Sequence, residues 1–220
     1  VALRLSPYQT IPPPGRQSDL LEVPISALQP TQLCVGLAEV HSRQRDFALE
    51  PAEQRRQYLR RKPVPLVRNA AGDLWMLDRH HRLRALIELD GDGLVFAYIA
   101  HNLKESDRLA CLRLLDQRGW LYLYDGRGQG PLLADVLPRS LTDLQDDPYR
   151  SLVWKLKQES RIQPQPHIPY HEFRWGAWLR SRCLPPFSSA RLEPALPAAR
   201  ALTRSAAASH LPGWKGESQG

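Results

Sequence analysis

A mixed α/β fold, with short strands flanked by helices and a helical C-terminal extension, is what three features of this sequence predict. Short apolar runs bounded by Pro, Gly or Asn recur between Leu20 and Tyr124. Segments with apolar residues at helical spacing separate them. Beyond residue 130 the strand-like runs stop and only helical spacing returns.

The elements follow in order. Residues 1–19 read as a proline-rich lead-in, and Leu20–Ile25 suits a first strand. Val35 to Phe47 has mixed helical periodicity, and Pro51 is placed as the first residue of a helix reaching about Arg61. Pro63-Val64-Pro65-Leu66-Val67 is expected to be extended, because residues before proline avoid the helical region. Asn69 to Asp73 has hairpin-turn chemistry, and Leu74–Leu77 returns as the partner strand. A helix is expected from about His80 to Leu89, ended by Asp90-Gly91-Asp92-Gly93, with Leu94–Ala100 as the next strand. Leu103–Arg118 reads as a helix capped near Ser106, and the glycine run 125–130 as a loop. Helices over Tyr149–Glu159, behind an Asp146-Asp147-Pro148 cap, and over Tyr170–Cys183 complete the body. The expected organisation is a lead-in (1–19), an α/β domain (20–130), a helical extension (131–183) and a flexible basic tail (184–220), where Ala198 to Leu211 could form a marginal helix.

Apolar residues make up 42% and charged residues 24%, enough for a real core. Residues 1–150 hold 20 Lys and Arg against 19 Asp and Glu, whereas residues 151–220 hold 10 against 4, so most of the net +7 lies at the C-terminal end. Weak nucleic-acid contact is therefore expected there, with the run Arg55, Arg56, Arg60, Arg61 and Lys62 as the other dense basic stretch. Cys34, Cys111 and Cys183 are far apart and odd in number, so they form no zinc or disulfide framework and are expected as buried or half-buried thiols. No apolar run is long enough for a membrane span. The cytoplasm and the periplasm both remain open; the proline-rich start without Met keeps an exported protein in view.

The chemically informative stretch is Leu74-Trp75-Met76-Leu77-Asp78-Arg79-His80-His81-Arg82-Leu83-Arg84-Ala85-Leu86, where a strand ends and a helix begins. Free N–H groups and the positive end of a helix dipole converge at such a junction. Two imidazoles and a guanidinium make it an anion site, with Asp78 able to orient an imidazole or assist a metal. The plainer alternatives stay open: His80 and His81 bonding to backbone, Asp78 as a cap, Arg82 as a solvated charge, and Glu39 as a surface glutamate.

This stretch resembles the helix-start motif of the ParB/sulfiredoxin superfamily, and its Asp-x-His-His pattern is similar to that of the putative ParB-like nuclease family. The resemblance extends over Leu28-Gln29-Pro30-Thr31-Gln32 with Val35-Gly36, Asp116–Trp120, Asp146–Leu152 and Glu172–Trp175, spanning about residues 20–183. His80 stands where sulfiredoxins place cysteine, and Arg79 where ParB proteins and the related serine kinases place glycine. The resemblance implies a compact ParB/sulfiredoxin-like domain and a hydrolase acting on phosphate esters, nuclease-like or nucleotide-hydrolysing. His81 and Arg82 would hold phosphate. Asp78 and His80 would orient it or bind Mg2+ or Mn2+, and Glu39 would be a candidate base. The partner would be a nucleotide or another phosphate-bearing ligand. A small-molecule kinase, or a nucleotide-sensing module without turnover, is the alternative.

Overall fold

The computed structural model describes residues 7–16 and 19–216; the rest of the expected lead-in and tail lies outside them. In chain order the elements are β1 (Leu21–Pro24), β2 (Leu28–Gln29), β3 (Cys34–Val35), α1 (Leu37–Leu49), α2 (Ala52–Arg61), β4 (Val64–Arg68) and β5 (Leu74–Met76). They continue with α3 (His80–Asp90), β6 (Leu94–Asn102), α4 (Arg108–Gln117), β7 (Gln145–Asp146), α5 (Pro148–Gln158), α6 (His171–Arg180) and α7 (Leu196–Arg204). The mixed α/β class is as the sequence predicts.

Five strands form one sheet in the order β1-β6-β4-β5-β2, and β3 pairs in parallel with β7. The β4–β5 hairpin closes through Asn69–Asp73, where Asp73 N–H donates to Asn69 Oδ1 at 2.7 Å and Gly72 takes φ 90°. Side-chain alternation then builds two cores, as the period of two requires. Leu66 and Met76 face α1 and α3 with Val40, Phe47, Leu83 and Leu86. Val67 and Trp75 face α4 with Cys111, Leu112 and Leu115. A third cluster joins α5, α6 and α7.

Several local expectations are corrected. Helix α4 starts at Arg108 because Asp107 accepts the Ala110 N–H at 2.8 Å, and β6 runs on to Asn102. The lead-in is packed rather than loose: Ile11 is buried against Trp120 and Leu115, and Tyr98 donates to the Pro12 carbonyl at 2.7 Å. Cys183 is exposed, unlike Cys34 and Cys111. The expected flexible tail holds α7, which buries Leu196, Ala199 and Thr203 against the third core. Its Ala-rich composition hid this, because small residues let α7 lie close to α5 while giving little hydrophobic signal.

Gly36 fixes how this third region meets the sheet domain. A Cβ there would stand 2.7 Å from the Ser151 backbone nitrogen, so only glycine lets the start of α1 approach the start of α5 so closely. That approach positions the site.

Candidate functional site

Helix α3 begins in a cavity of about 230 Å³ between α1, α5, α6 and the segment 164–169. Its cap, Arg79, takes the left-handed conformation at φ 79° and offers no side-chain cap. Such a conformation costs a non-glycine residue about 1–2 kcal/mol. Tyr170, at φ 54°, also lines the cavity; Ser160 is the third non-glycine residue with positive φ among the described residues. Strain of this kind concentrates where geometry serves a ligand.

The two histidines are buried and tied to backbone. Thr31 N–H donates to His80 Nε2 at 3.1 Å, and Gly36 N–H donates to His81 Nε2 at 2.9 Å. A backbone nitrogen can only donate, so each neutral ring carries its proton on Nδ1. Burial pushes His80 down to about 3. Burial, helped by Arg150, pushes His81 well below the ordinary histidine range. Both rings are thus neutral donors at physiological pH.

Five cations line the same cavity. Arg43 and Arg150 share Glu39, at 2.6 Å to Oε1 and 2.8 Å to Oε2 respectively. Lys157 pairs with Glu172. Arg82 lies over the Tyr58 ring at 4.9 Å and donates to the Lys62 carbonyl at 3.3 Å; burial, then Arg79, lowers it to about 10. Nε and Nη1 of Arg150, Nε of Arg82 and Nε of Arg79 are buried without an acceptor. Unsatisfied buried donors on a charged group are costly and mark a place where a partner is missing.

Two of the three cavity carboxylates, Glu39 and Glu172, are held by cations, and Asp78 is the more exposed one. Burial would raise Glu39, but the Arg150 and Arg43 guanidiniums outweigh it and hold the carboxyl well below its usual range. Glu172 is likewise raised by burial and lowered by Arg150 and Lys157, to about 2. Asp78 accepts from its neighbour's backbone N–H at 2.6 Å and pairs with the Arg79 guanidinium at 2.9 Å. Both imidazole Nε2 atoms accept backbone N–H groups, and the contacts of Asp78 are to Arg79.

A Mg2+ or Mn2+ ion does not fit this donor set. Among the described residues no group of three His, Cys, Asp or Glu side chains gathers as a metal site. Glu39 and Glu172 are held by cations, and each histidine offers the cavity a protonated nitrogen.

Asp78, His80, His81, Arg82 and Glu39 therefore line one cavity. Sequence reasoning missed Arg150, Arg43, Lys157 and Glu172 as members. Asp147 was legible as the α5 cap, accepting from Tyr149 and Arg150 N–H at 2.9 and 3.3 Å. Arg150 stands on the first turn behind that cap, but nothing in the sequence shows which way it faces.

Among solved structures, the chain is similar to protein Atu1540 from Agrobacterium tumefaciens, with 28% identity and a TM-score of 0.77. That likeness covers 90% of this chain and 96% of that one. No curated protein matches. No helix of the described residues is long and apolar enough to cross a membrane. The family model described as "Putative ParB-like nuclease" matches residues 21–181, which include every cavity residue from Gln32 to Phe173. The chain belongs to that ParB-like family.

Proposed function

We propose that the cavity binds the phosphate group of a nucleotide or a related ester, and that the chain is a phosphate-ester hydrolase of its family. The observation that carries this reading is Arg150, a residue 5% exposed that lines the cavity with the first residues of α3 and carries two guanidinium N–H groups lacking any acceptor. Arg150 and Arg82 would take the phosphate oxygens, with the first N–H groups of α3 and the Nδ1–H of His81 completing the cradle. His80 Nδ1–H is the donor for charge developing on an oxygen. In hydrolysis a water oxygen bonds to phosphorus and the bond to the leaving oxygen breaks. Asp78 takes the water proton, and the leaving oxygen is protonated from solvent. Glu39 suits holding Arg43 and Arg150 in place better than acting as a base, because its proton affinity is suppressed.

The test is thermal shift with inorganic phosphate and nucleotides, on the wild type and Arg150→Met. Phosphate should raise the wild-type melting temperature and leave the variant unmoved. An undiminished shift in Arg150→Met rejects the site. Turnover is assayed separately on nucleotides and oligonucleotides. Stabilisation without turnover, and without any effect of Asp78→Asn, would favour the sensing reading, which the commitment of Glu39 to two arginines also supports. Weak nucleic-acid contact is proposed for the C-terminal region through exposed Arg191, Arg204 and Lys215. Their replacement by Gln should abolish salt-sensitive DNA retention.

A further inference from the structure

The charge, the donors and the roof of the cavity together narrow its ligand. Resting on the phosphate-binding reading above, we infer that the site selects a terminal phosphomonoester in its dianionic form, carried on a small molecule, over the internal phosphodiester of a nucleic acid.

Charge gives the first reason. The cavity is lined by five cations, Arg43, Arg79, Arg82, Arg150 and Lys157, against three carboxylates, Glu39, Asp78 and Glu172. The outer pair Asp78–Arg79 cancels itself, so the inner residues alone leave an excess of two positive charges. The histidines add none, since each spends Nε2 as an acceptor of a backbone N–H. One excess charge lies in the Arg43–Glu39–Arg150 triad, where one carboxylate serves two guanidiniums. The other is on Arg82, which forms no ion pair among the described residues and instead meets the Lys62 carbonyl and the Tyr58 ring. A terminal phosphate carries about −1.5 to −2 at neutral pH, whereas a diester carries a single charge. In a buried site a leftover charge is expensive, so the match discriminates.

The donors agree. Three arginines that line the cavity, Arg79, Arg82 and Arg150, hold between them four occluded guanidinium nitrogens without acceptors. A terminal phosphate presents three unesterified oxygens to such a cluster, and a diester presents two.

Access gives the third reason. The segment between α5 and α6 roofs the cavity with Pro164, Pro166 and Pro169, whose rings fix the backbone. It is tied down by Gln163 N–H to the Gly213 carbonyl at 2.8 Å and by Ile11 N–H to the His167 carbonyl at 3.2 Å. The cavity of about 230 Å³ sits below the roughly 300–1,000 Å³ of typical ligand pockets. A chain end can enter such a space; a continuous duplex backbone cannot thread it.

The experiment titrates the full chain at pH 8 with methyl phosphate and dimethyl phosphate, which differ by one ester and one charge, following chemical shifts or heat. Methyl phosphate should bind at least tenfold more tightly. Two variants at the partly exposed pair then move the excess charge: Lys157→Gln lowers it to one and Glu172→Gln raises it to three. The methyl-over-dimethyl preference should narrow in the first and widen in the second. Equal affinity of the two esters in the wild type overturns the inference while leaving phosphate binding intact. Failure of both esters and of inorganic phosphate to bind overturns both readings. If either variant fails to fold, the wild-type ratio decides alone. A 5′-phosphorylated single strand bound no better than its unphosphorylated twin also counts against the inference.

Discussion

Helix α2 and the cavity at α3 are both rich in arginine, and they use it in opposite ways. On α2, Arg56 meets Glu22 at 2.8 Å and Arg55 meets Asp90 at 2.6 Å, while Arg56 and Arg60 lie over the Phe96 ring. Water and these partners satisfy the helix, and its charges are worth little individually. In the cavity, Arg82 and Arg150 come from segments 68 positions apart in the numbering, are nearly excluded from solvent, and keep donors without acceptors. Charge density along the sequence marks the first region. Charge frustration in space marks the second, and it is the second that calls for a ligand.

The sharpest way to break this comparison is Arg150→Met. Removing one member of a buried pair leaves Glu39 with Arg43 alone, and should cost about 3–5 kcal/mol in urea denaturation along with all phosphate response. Adding Glu39→Gln in the same chain should recover most of the stability and none of the binding. Recovery of binding would show that Arg150 is only structural.

Gly36→Ala is the next largest. Its Cβ would meet the backbone of Arg150 and Ser151 at 3.0 and 2.7 Å, so neither can yield cheaply. A loss of about 1–3 kcal/mol is expected for such overpacking, with weaker phosphate binding because α1 and α5 carry Glu39 and Arg150. Unchanged affinity would uncouple the helix approach from the site.

A smaller effect separates the regions by pH. His80 titrates near 3 in the folded chain and near 6.5 when unfolded. Between these values the unfolded state binds a proton that the native state refuses, so stability falls as pH drops below about 6.5, by up to ~1.4 kcal/mol per unit. Glu172, lowered to about 2, adds a second loss that starts below the unfolded carboxylate range near 4.3. His80→Gln can still accept the Thr31 N–H and should lessen the slope between about pH 6.5 and 4.5 by up to ~1.4 kcal/mol per unit, leaving the part that His81 contributes. An unaltered slope would mean His80 is not the proton-linked group.

The smallest effect is expected on α2. Arg60→Gln with Arg61→Gln, both exposed, should change stability by about 0.5 kcal/mol or less and leave phosphate binding untouched. A lost phosphate response there would erase the contrast.

Much of this was legible in the sequence, and for identifiable reasons. The β4–β5 hairpin, the α3 boundaries and the α5 cap rest on local chemistry at Asn69–Asp73, Asp90–Gly93 and Asp147-Pro148, so short-range rules find them. The five residues proposed from the sequence share a cavity because four of them are neighbours on one helix start. Arg150, Lys157 and Glu172 were invisible as partners, since only tertiary packing turns them toward that start. The strands β2, β3 and β7 have two residues each and no periodicity to read. Helix α7 was legible only as a marginal stretch over Ala198–Leu211, because alanine packs by proximity and not by hydrophobic area.

The ion pair between Glu39 and Arg150 joins positions 111 residues apart. A comparison of relatives by the Asp-x-His-His pattern alone would thus overcount working sites. Any homologue that keeps the two histidines but lacks an arginine at the position of Arg150 would retain the helix start with an empty grip. On the phosphate-binding reading proposed above, the residue that would sort competent members of the family from inert ones lies outside the motif that recognises them.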